Sequence, residues 1–179
     1  MNPINRKQFD HLVRKQLAYC HPLIFLDEYK IGLHVEPIVS RMAEEIDLLK
    51  GIKLDELERV DLSKAPIVRG TTYLGLSVQK ISLPDNVIGR LHTRSTLSRL
   101  GLDFFGSSTY VSPGFGAEVP TQMVFEITPS VTIRNLPLNQ PVAGLVLYQL
   151  DGVEEVWRGR GRHSKRFPFT DLRPVRDDE

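Results

Sequence analysis

From Ala65-Pro66 onward the chain keeps one rhythm: short apolar runs set between Gly, Pro and Asn. The runs are YLGLSVQKISL, NVIGRL, TQMVFEI, SVTIRNL and PVAGLVLYQL. Short runs bounded by turn residues are the signature of an all-β unit, a sandwich or a jelly roll, here a β core over residues 66–151. Leu74, Leu76 and Val78 occupy one phase of alternation, whereas Ile81 and Leu83 occupy the other. That slip predicts a bulge or break near Gln79-Lys80. In TQMVFEIT, Met123, Phe125 and Ile127 share one face, and Val124 and Glu126 share the opposite one.

The first third reads differently. Over residues 4–19, Ile4, Phe9, Leu12, Val13 and Leu17 recur against charged positions, which predicts an amphipathic helix stopped by His21-Pro22. Residues Leu23 to Val35 alternate loosely and suit one or two short strands. Over 36–61, Val39, Met42, Ala43, Ile46 and Leu49 keep helical spacing, with Gly51 placed to close a helical insertion. Glu44, Glu45 and Asp47 fall among its exposed positions and read as surface charge.

Bulk properties narrow the function. At 179 residues, 41% hydrophobic and 25% charged, the chain suits one ordinary globular domain (residues 1–156) with a tail over 157–179. A net charge of +1 gives no case for nucleic acid or membrane partners. A lone cysteine, Cys20, rules out an internal disulfide and Cys-pair zinc sites. The start carries no apolar leader, so a cytoplasmic location is the expectation. The tail places Arg158, Arg160, Arg162, Lys165 and Arg166 within nine residues, followed by Phe167 and Phe169. It suits a solubilising end, an RNA-binding arm, or a flap over an anionic ligand.

The chemistry concentrates between Thr93 and Glu126. Ser95 and Arg99 are four residues apart, so a helix over Arg94 to Leu100 puts them on one face, with Leu97 and Leu100 turned to a core. A hydroxyl, nearby N–H groups and a guanidinium one turn on can hold phosphate oxygens. An N-cap with a solvated helix face fits the same spacing. Glu126 offers a proton-transfer group from a second element. Whether it lines a cleft or meets solvent is open at this level.

The segment LPDNVIGRLHTRSTLSRLGL resembles the dCTP deaminase branch of the dUTPase-like superfamily. Val111-Ser112-Pro113-Gly114-Phe115-Gly116 looks like that family's IDPG-type turn, and Val124-Phe125-Glu126 like the strand after it. Val60-Asp61-Leu62-Ser63 is similar to its DLS turn, and PVAGLVLYQLDG to a later strand. The resemblance implies a dUTPase-like distorted jelly roll or β-barrel, assembled as a homotrimer with sites between subunits. It implies zinc-independent hydrolytic deamination of dCTP to dUTP and ammonia, with Mg²⁺ carried by the triphosphate. By position, Glu126 matches the general acid/base, and Ser95 and Arg99 match the pair that holds the water and the triphosphate. Arg94, Thr96 and the tail's Lys165 match phosphate contacts, while Ser112 and Val124 complete the nucleotide-binding set.

The chain departs from that pattern in four places. Ser112 stands where the family's turn has Asp, which argues against dUTP diphosphatase activity. Ala117 to Pro120 are a surplus before the strand, which makes Glu118 a rival carboxylate. Tyr29 to His34 lack the Asp of an early motif. Phe169 falls near the family's tail glutamine, and Arg158 or Trp157 near its tyrosine. A dUTP diphosphatase-like member, another nucleotide hydrolase, and a non-catalytic nucleotide sensor are the alternatives.

Overall fold

A computed structural model describes residues 2–47, 52–105, 109–151 and 171–172. In chain order the elements are β1 (Asn2–Pro3), α1 (Arg6–Arg14), β2 (Tyr19–His21), β3 (Lys30–Leu33), β4 (Ile38–Arg41) and β5 (Ile52–Lys53). A 3-10 turn (Leu54–Glu56) leads to β6 (Glu58–Asp61), β7 (Tyr73–Ser82), β8 (Val87–Thr93) and α2 (Ser95–Arg99). Then come β9 (Leu102–Phe105), β10 (Tyr110–Val111), β11 (Thr121–Pro129), β12 (Ala143–Gln149) and β13 (Asp171–Leu172). No helix among the described residues is long and apolar enough to cross a membrane.

The chain is mainly β, built on two antiparallel sheets. In the first, β8 pairs along one edge of β12, β1 and β3 share the other edge end to end, and β10 extends β8. In the second, β7 carries β11 on one edge, with β9 beyond it, and β2 and β4 on the other, with β6 outside β4. One buried cluster joins their apolar faces. It includes Ile31, Leu33, Leu91 and Leu145 from the first sheet and Tyr73, Phe104, Phe125 and Ile127 from the second. Phe104 and Phe125 meet edge-to-face with centroids 6.0 Å apart, a favourable aromatic geometry. The backbone of β13 pairs with β5; the rest of the tail, including Lys165, lies outside the described residues.

The N-terminal helix is real but shorter than its periodicity. Asn5 and Gln8 form a reciprocal capping box at 2.9 Å each way, and Phe9 is the buried anchor. The helix stops at Arg14; Gln16 turns the chain at positive φ, and Tyr19 to His21 join β7 as a strand. Leu17, one of its periodic apolar positions, ends 52% exposed.

The helix expected within 36–61 is absent among the described residues. Ile38–Arg41 and Glu58–Asp61 are instead antiparallel strands, with Val39 opposite Val60 and Arg41 paired to Glu58 at 3.3 Å. Pro37 bars a helical conformation at Glu36, and Ile38 and Val39 are β-branched. The decisive term is non-local: Ser40 and Arg41 pair with β7, and Met42 N–H bonds the Thr72 carbonyl at 2.9 Å. Leu49 and Gly51 lie outside the described residues. At the end of β6, the Asp61 carboxylate accepts from Ser63 N–H at 3.0 Å and Ser63 Oγ at 2.6 Å, an Asx-type turn.

The bulge expected near Gln79-Lys80 is present at Ser77 to Gln79, whereas the side-chain phase of β7 does not slip. The strand runs unbroken, and its inward residues are Tyr73, Gly75, Ser77, Gln79 and Ile81. Leu74, Leu76 and Val78 occupy the outer face, half-buried. The irregularity is in the pairing: Gln122 opposes Lys80 while Val124 opposes Leu76, so Ser77 to Gln79 face Met123 alone. Ser77 Oγ accepts the Met123 N–H at 2.8 Å and donates to the Gln79 carbonyl at 2.6 Å. A polar side chain thus supplies the rungs that the register shift removes.

Candidate active site

The Arg94–Leu100 segment folds as the local pattern predicts, with Arg94 in the extended N-cap position of the five-residue α2. Ser95, Thr96 and Arg99 are exposed together, and Leu97 packs against the core. Leu100 does not: it is 59% exposed. Gly101, at φ +78°, turns the chain so that Leu102 takes the buried place instead. Ser130 holds the turn, its N–H donating to the Gly101 carbonyl at 2.7 Å and its hydroxyl at 3.1 Å.

The start of α2 is fixed by three contacts from distant parts of the chain. The Thr93 hydroxyl accepts the Phe104 N–H at 3.0 Å and donates to the Phe104 carbonyl at 3.2 Å, clipping β8 of one sheet to β9 of the other. Arg94 N–H donates to the Val142 carbonyl at 3.1 Å, and its guanidinium donates to the Pro141 carbonyl at 3.3 Å. One guanidinium N–H is committed there. The Ser98 hydroxyl, on the same helix, bonds Asp103 at 2.8 Å.

Glu126 lies on β11, opposite Leu74 of β7 and Phe105 of β9. Its neighbours Phe125 and Ile127 are fully buried, so its side chain belongs to the outer face, half-buried beside Val124, Leu74 and Leu76. β9 stands between Glu126 and Thr93, roughly 10 Å in the pairing direction for two strand spacings.

Ser112 is exposed in a turn closed by Phe115 N–H to its carbonyl at 3.1 Å. Gly114 and Gly116, both at positive φ, let this turn lie against Asp85 and the Ile81 carbonyl. Leu83 N–H then bonds the Phe115 carbonyl at 2.8 Å. The turn therefore sits near the first end of β8 and α2 at its last, about 20 Å apart for a seven-residue strand. Ala117 to Pro120 form a loop ahead of β11, and Glu118 is exposed in it, remote from α2.

One chain thus gathers Arg94, Ser95, Thr96 and Arg99 at one place and Val124 with Glu126 at a second. Ser112 stands at a third. Sequence reasoning missed the positioning groups Thr93, Ser130, Pro141 and Val142, because hydroxyl clips and main-chain carbonyls leave no pattern. Cys20 is no rival nucleophile: burial pushes its thiol up to about 12, far from a thiolate at neutral pH. Near α2, the outer face of β8 is basic, with His92 held below its usual value by burial and then by the charges of Arg90 and Lys30.

Residues 31–150 match the family model described as dCTP deaminase-like. The chain is 26% identical over 141 residues to a dCTP deaminase, dUMP-forming, of Pseudarthrobacter chlorophenolicus, covering 79% of this chain and 67% of that protein. A protein of the same name from Kocuria rhizophila is 28% identical over the same length and coverage. Among solved structures, the 2'-deoxycytidine 5'-triphosphate deaminase of Agrobacterium tumefaciens matches with a TM-score of 0.61 at 15% identity, a likeness of fold. That match covers 82% of this chain and 47% of the other, so the chain spans just under half of that solved protein.

Proposed function

Because this chain belongs to the dCTP deaminase-like family, we propose that it binds a pyrimidine deoxynucleoside triphosphate and hydrolyses the exocyclic amine of dCTP, giving dUTP and ammonia. The observation that carries this reading is α2. Four polar side chains, Arg94, Ser95, Thr96 and Arg99, stand on one short segment whose backbone is tied to both sheets. A phosphate chain held there is positioned without ordering the protein further.

Glu126 is the acid/base in this reading. Its carboxylate takes a proton from water as the oxygen attacks C4 of the ring and passes it to N3. It then carries the second hydroxyl proton to the amine, which leaves as ammonia. No zinc is required by this scheme. A Mg²⁺ ion in this reading would be carried by the phosphate oxygens.

The separation of α2, Glu126 and Ser112 within one chain favours a site completed by other copies, and a homotrimer is the assembly proposed. The half-buried apolar face of Leu74, Leu76, Val78 and Val124 around Glu126 supports this, since such a face gains from being covered. Lys165 of the tail is proposed as a further phosphate ligand.

A second reading follows from the names of the two relatives: dUMP and pyrophosphate as products. Ser112, in a turn where the resemblance expects Asp, favours the first. Incubation with each triphosphate and Mg²⁺, with ammonia and pyrophosphate assayed separately, distinguishes them. Ammonia from dCTP that disappears in Glu126→Gln supports deamination; pyrophosphate in equal amount supports the dUMP route. A raised melting temperature with no turnover would replace both with a nucleotide sensor.

A further inference from the structure

The two sheets do not share their charges evenly. The strands of the first, β1, β3, β8, β10 and β12, hold Lys30 and Arg90, with His92, and no Asp or Glu. Glu58, Asp61, Asp103 and Glu126 all belong to strands of the second. With 23 Lys and Arg against 22 Asp and Glu, the chain has no excess that would produce this by itself. The separation is one of placement.

Register fixes where the positive charge points. Leu91 is buried, so Arg90 and His92 belong to the outer face of β8, and Arg94, one residue past the strand, continues that phase. Positions i, i+2 and i+4 cover about 13 Å of outer surface, and the stripe ends where α2 begins. Across the sheet, one row runs Tyr110, Arg90, Val146 and Lys30. The Arg90 guanidinium lies over the exposed Tyr110 ring, 6.0 Å from its centroid, which holds the charge on this face. In the next row Gly144 stands between His92 and Gly32. With no side chain at Gly144, Lys30 leans over β12 towards β8, its Cδ 3.6 Å from where a Cβ would be.

We infer that this face collects polyphosphate for the α2 site: Arg90, Lys30 and Arg94 form a positive approach along β8 that draws an anionic ligand towards Ser95, Thr96 and Arg99. That the ligand is a nucleotide rests on the function proposed above; the approach itself needs only a small polyanion. A steering charge acts through its field, so Arg90 needs no contact with the bound ligand. At about 13 Å the field reaches the ligand in ~0.01 M salt, where the Debye length is about 30 Å, and is screened in ~0.15 M salt, where it is about 8 Å.

The surroundings agree with a positive approach. His92, in the middle of the stripe, is held below its usual value first by burial and then by the charges of Arg90 and Lys30. Two carboxylates border the path, and both are engaged: Asp27 with Lys30 at 3.3 Å, and Asp103 with the Ser98 hydroxyl at 2.8 Å. Asp27 offsets part of the Lys30 charge, which leaves Arg90 as the larger contributor.

The test measures association and dissociation rates for mant-dCTP with Mg²⁺ by stopped-flow fluorescence. It compares wild type with Arg90→Glu, Arg90→Lys and Arg59→Glu. Arg59 is an exposed control on β6, four strand spacings from β9 and so about 19 Å from the edge that leads to α2. Arg90→Glu should slow association about fourfold in ~0.01 M salt and less than about twofold in ~0.15 M salt, with dissociation unchanged. Arg90→Lys keeps the charge and should keep the wild-type rate. Arg59→Glu should stay within about twofold of wild type throughout. Calorimetry with inorganic tripolyphosphate repeats the comparison without a base.

Equal effects of Arg59→Glu and Arg90→Glu, or a loss in Arg90→Lys as large as in Arg90→Glu, would overturn the inference. So would an Arg90→Glu effect that sits in the dissociation rate or the oligomeric state, because Arg90 would then be a contact residue. If mant-dCTP does not bind, while tripolyphosphate does and Arg90→Glu weakens it in low salt alone, the nucleotide reading falls and the collecting face stands.

Discussion

The Thr93 hydroxyl takes both main-chain hydrogen bonds of Phe104, N–H at 3.0 Å and C=O at 3.2 Å, from one oxygen. A ladder residue would need its own amide and carbonyl to do this. Here the bond pair crosses from β8 in one sheet to β9 in the other, two residues before α2 begins. The clip converts a loose edge into a seam at the point where the candidate phosphate ligands start.

Thr93→Val keeps the shape and removes the oxygen, leaving the buried Phe104 groups unpaired. The expected loss is about 1–3 kcal/mol of stability, measured by urea unfolding. Thr93→Ser restores the hydroxyl and should recover most of it. Equal stability of the valine variant and wild type would contradict the clip.

Gly101 sits at φ +78°, and a Cβ there would overlap the Ser130 hydroxyl. Gly101→Ala should cost about 1–3 kcal/mol from the backbone conformation alone, and more while Ser130 stands in the way. Adding Ser130→Gly should return part of the loss. Full additivity of the two substitutions would show that they do not meet.

Asp61 is held well below the ordinary carboxylate value of 3.8, at about 2, by the Ser63 hydroxyl first, then by Lys64 and the Ser63 N–H. Its depressed value means that the stabilisation is present above pH 3.8 and disappears as pH falls towards 2. Asp61→Asn should therefore lower the melting temperature at neutral pH and leave it unchanged near pH 2. A constant difference across that range would disprove the linkage.

Arg99 is exposed on α2 and makes no packing contribution to the core. Arg99→Ala should weaken Mg²⁺–dCTP binding by about tenfold or more, the worth of a charge-assisted pair, with the melting temperature of the free protein unchanged. Glu126→Gln should do the reverse, keeping affinity within a few-fold while ammonia release falls by about a hundredfold or more. Calorimetry and an ammonia assay on the same preparations separate the two roles.

Much of this was legible in the residues, and the exceptions share a cause. β11 alternates cleanly because Met123, Phe125 and Ile127 face a core while Glu126 does not, and α2 is closed within eight residues by Arg94 and Gly101. Both are local statements. Residues 36–61 misled because the helical spacing from Val39 to Ile46 competes with pairing to β7, a strand more than thirty positions on that no local window contains. Leu100 misled because Gly101 hands its buried place to Leu102. The leucines and valine of β7 suggested a change of phase near Gln79-Lys80; the strand keeps one phase with Ser77 and Gln79 on its inward face, accepted there because each finds polar partners. The anchors of Arg94 are carbonyls, which every residue has.

The seam at Thr93 has a consequence for how such a chain can vary. Its eight residues from Arg94 to Gly101 join strands of different sheets, fastened at one end by Thr93 and at the other by Ser130. Inserting or deleting a residue there would pull one fastening out of register, whereas side chains on the exposed face can be exchanged without moving the backbone. The Ala117–Pro120 loop is tied only within its own neighbourhood, by Ala117 N–H to the Gly114 carbonyl at 3.1 Å and the Thr121 hydroxyl to the Val119 carbonyl at 2.7 Å, and joins no two sheets, so it can absorb length. In the function proposed above, ligand preference is therefore open to revision by point replacement at Ser95, Thr96 and Arg99, and closed to revision by splicing.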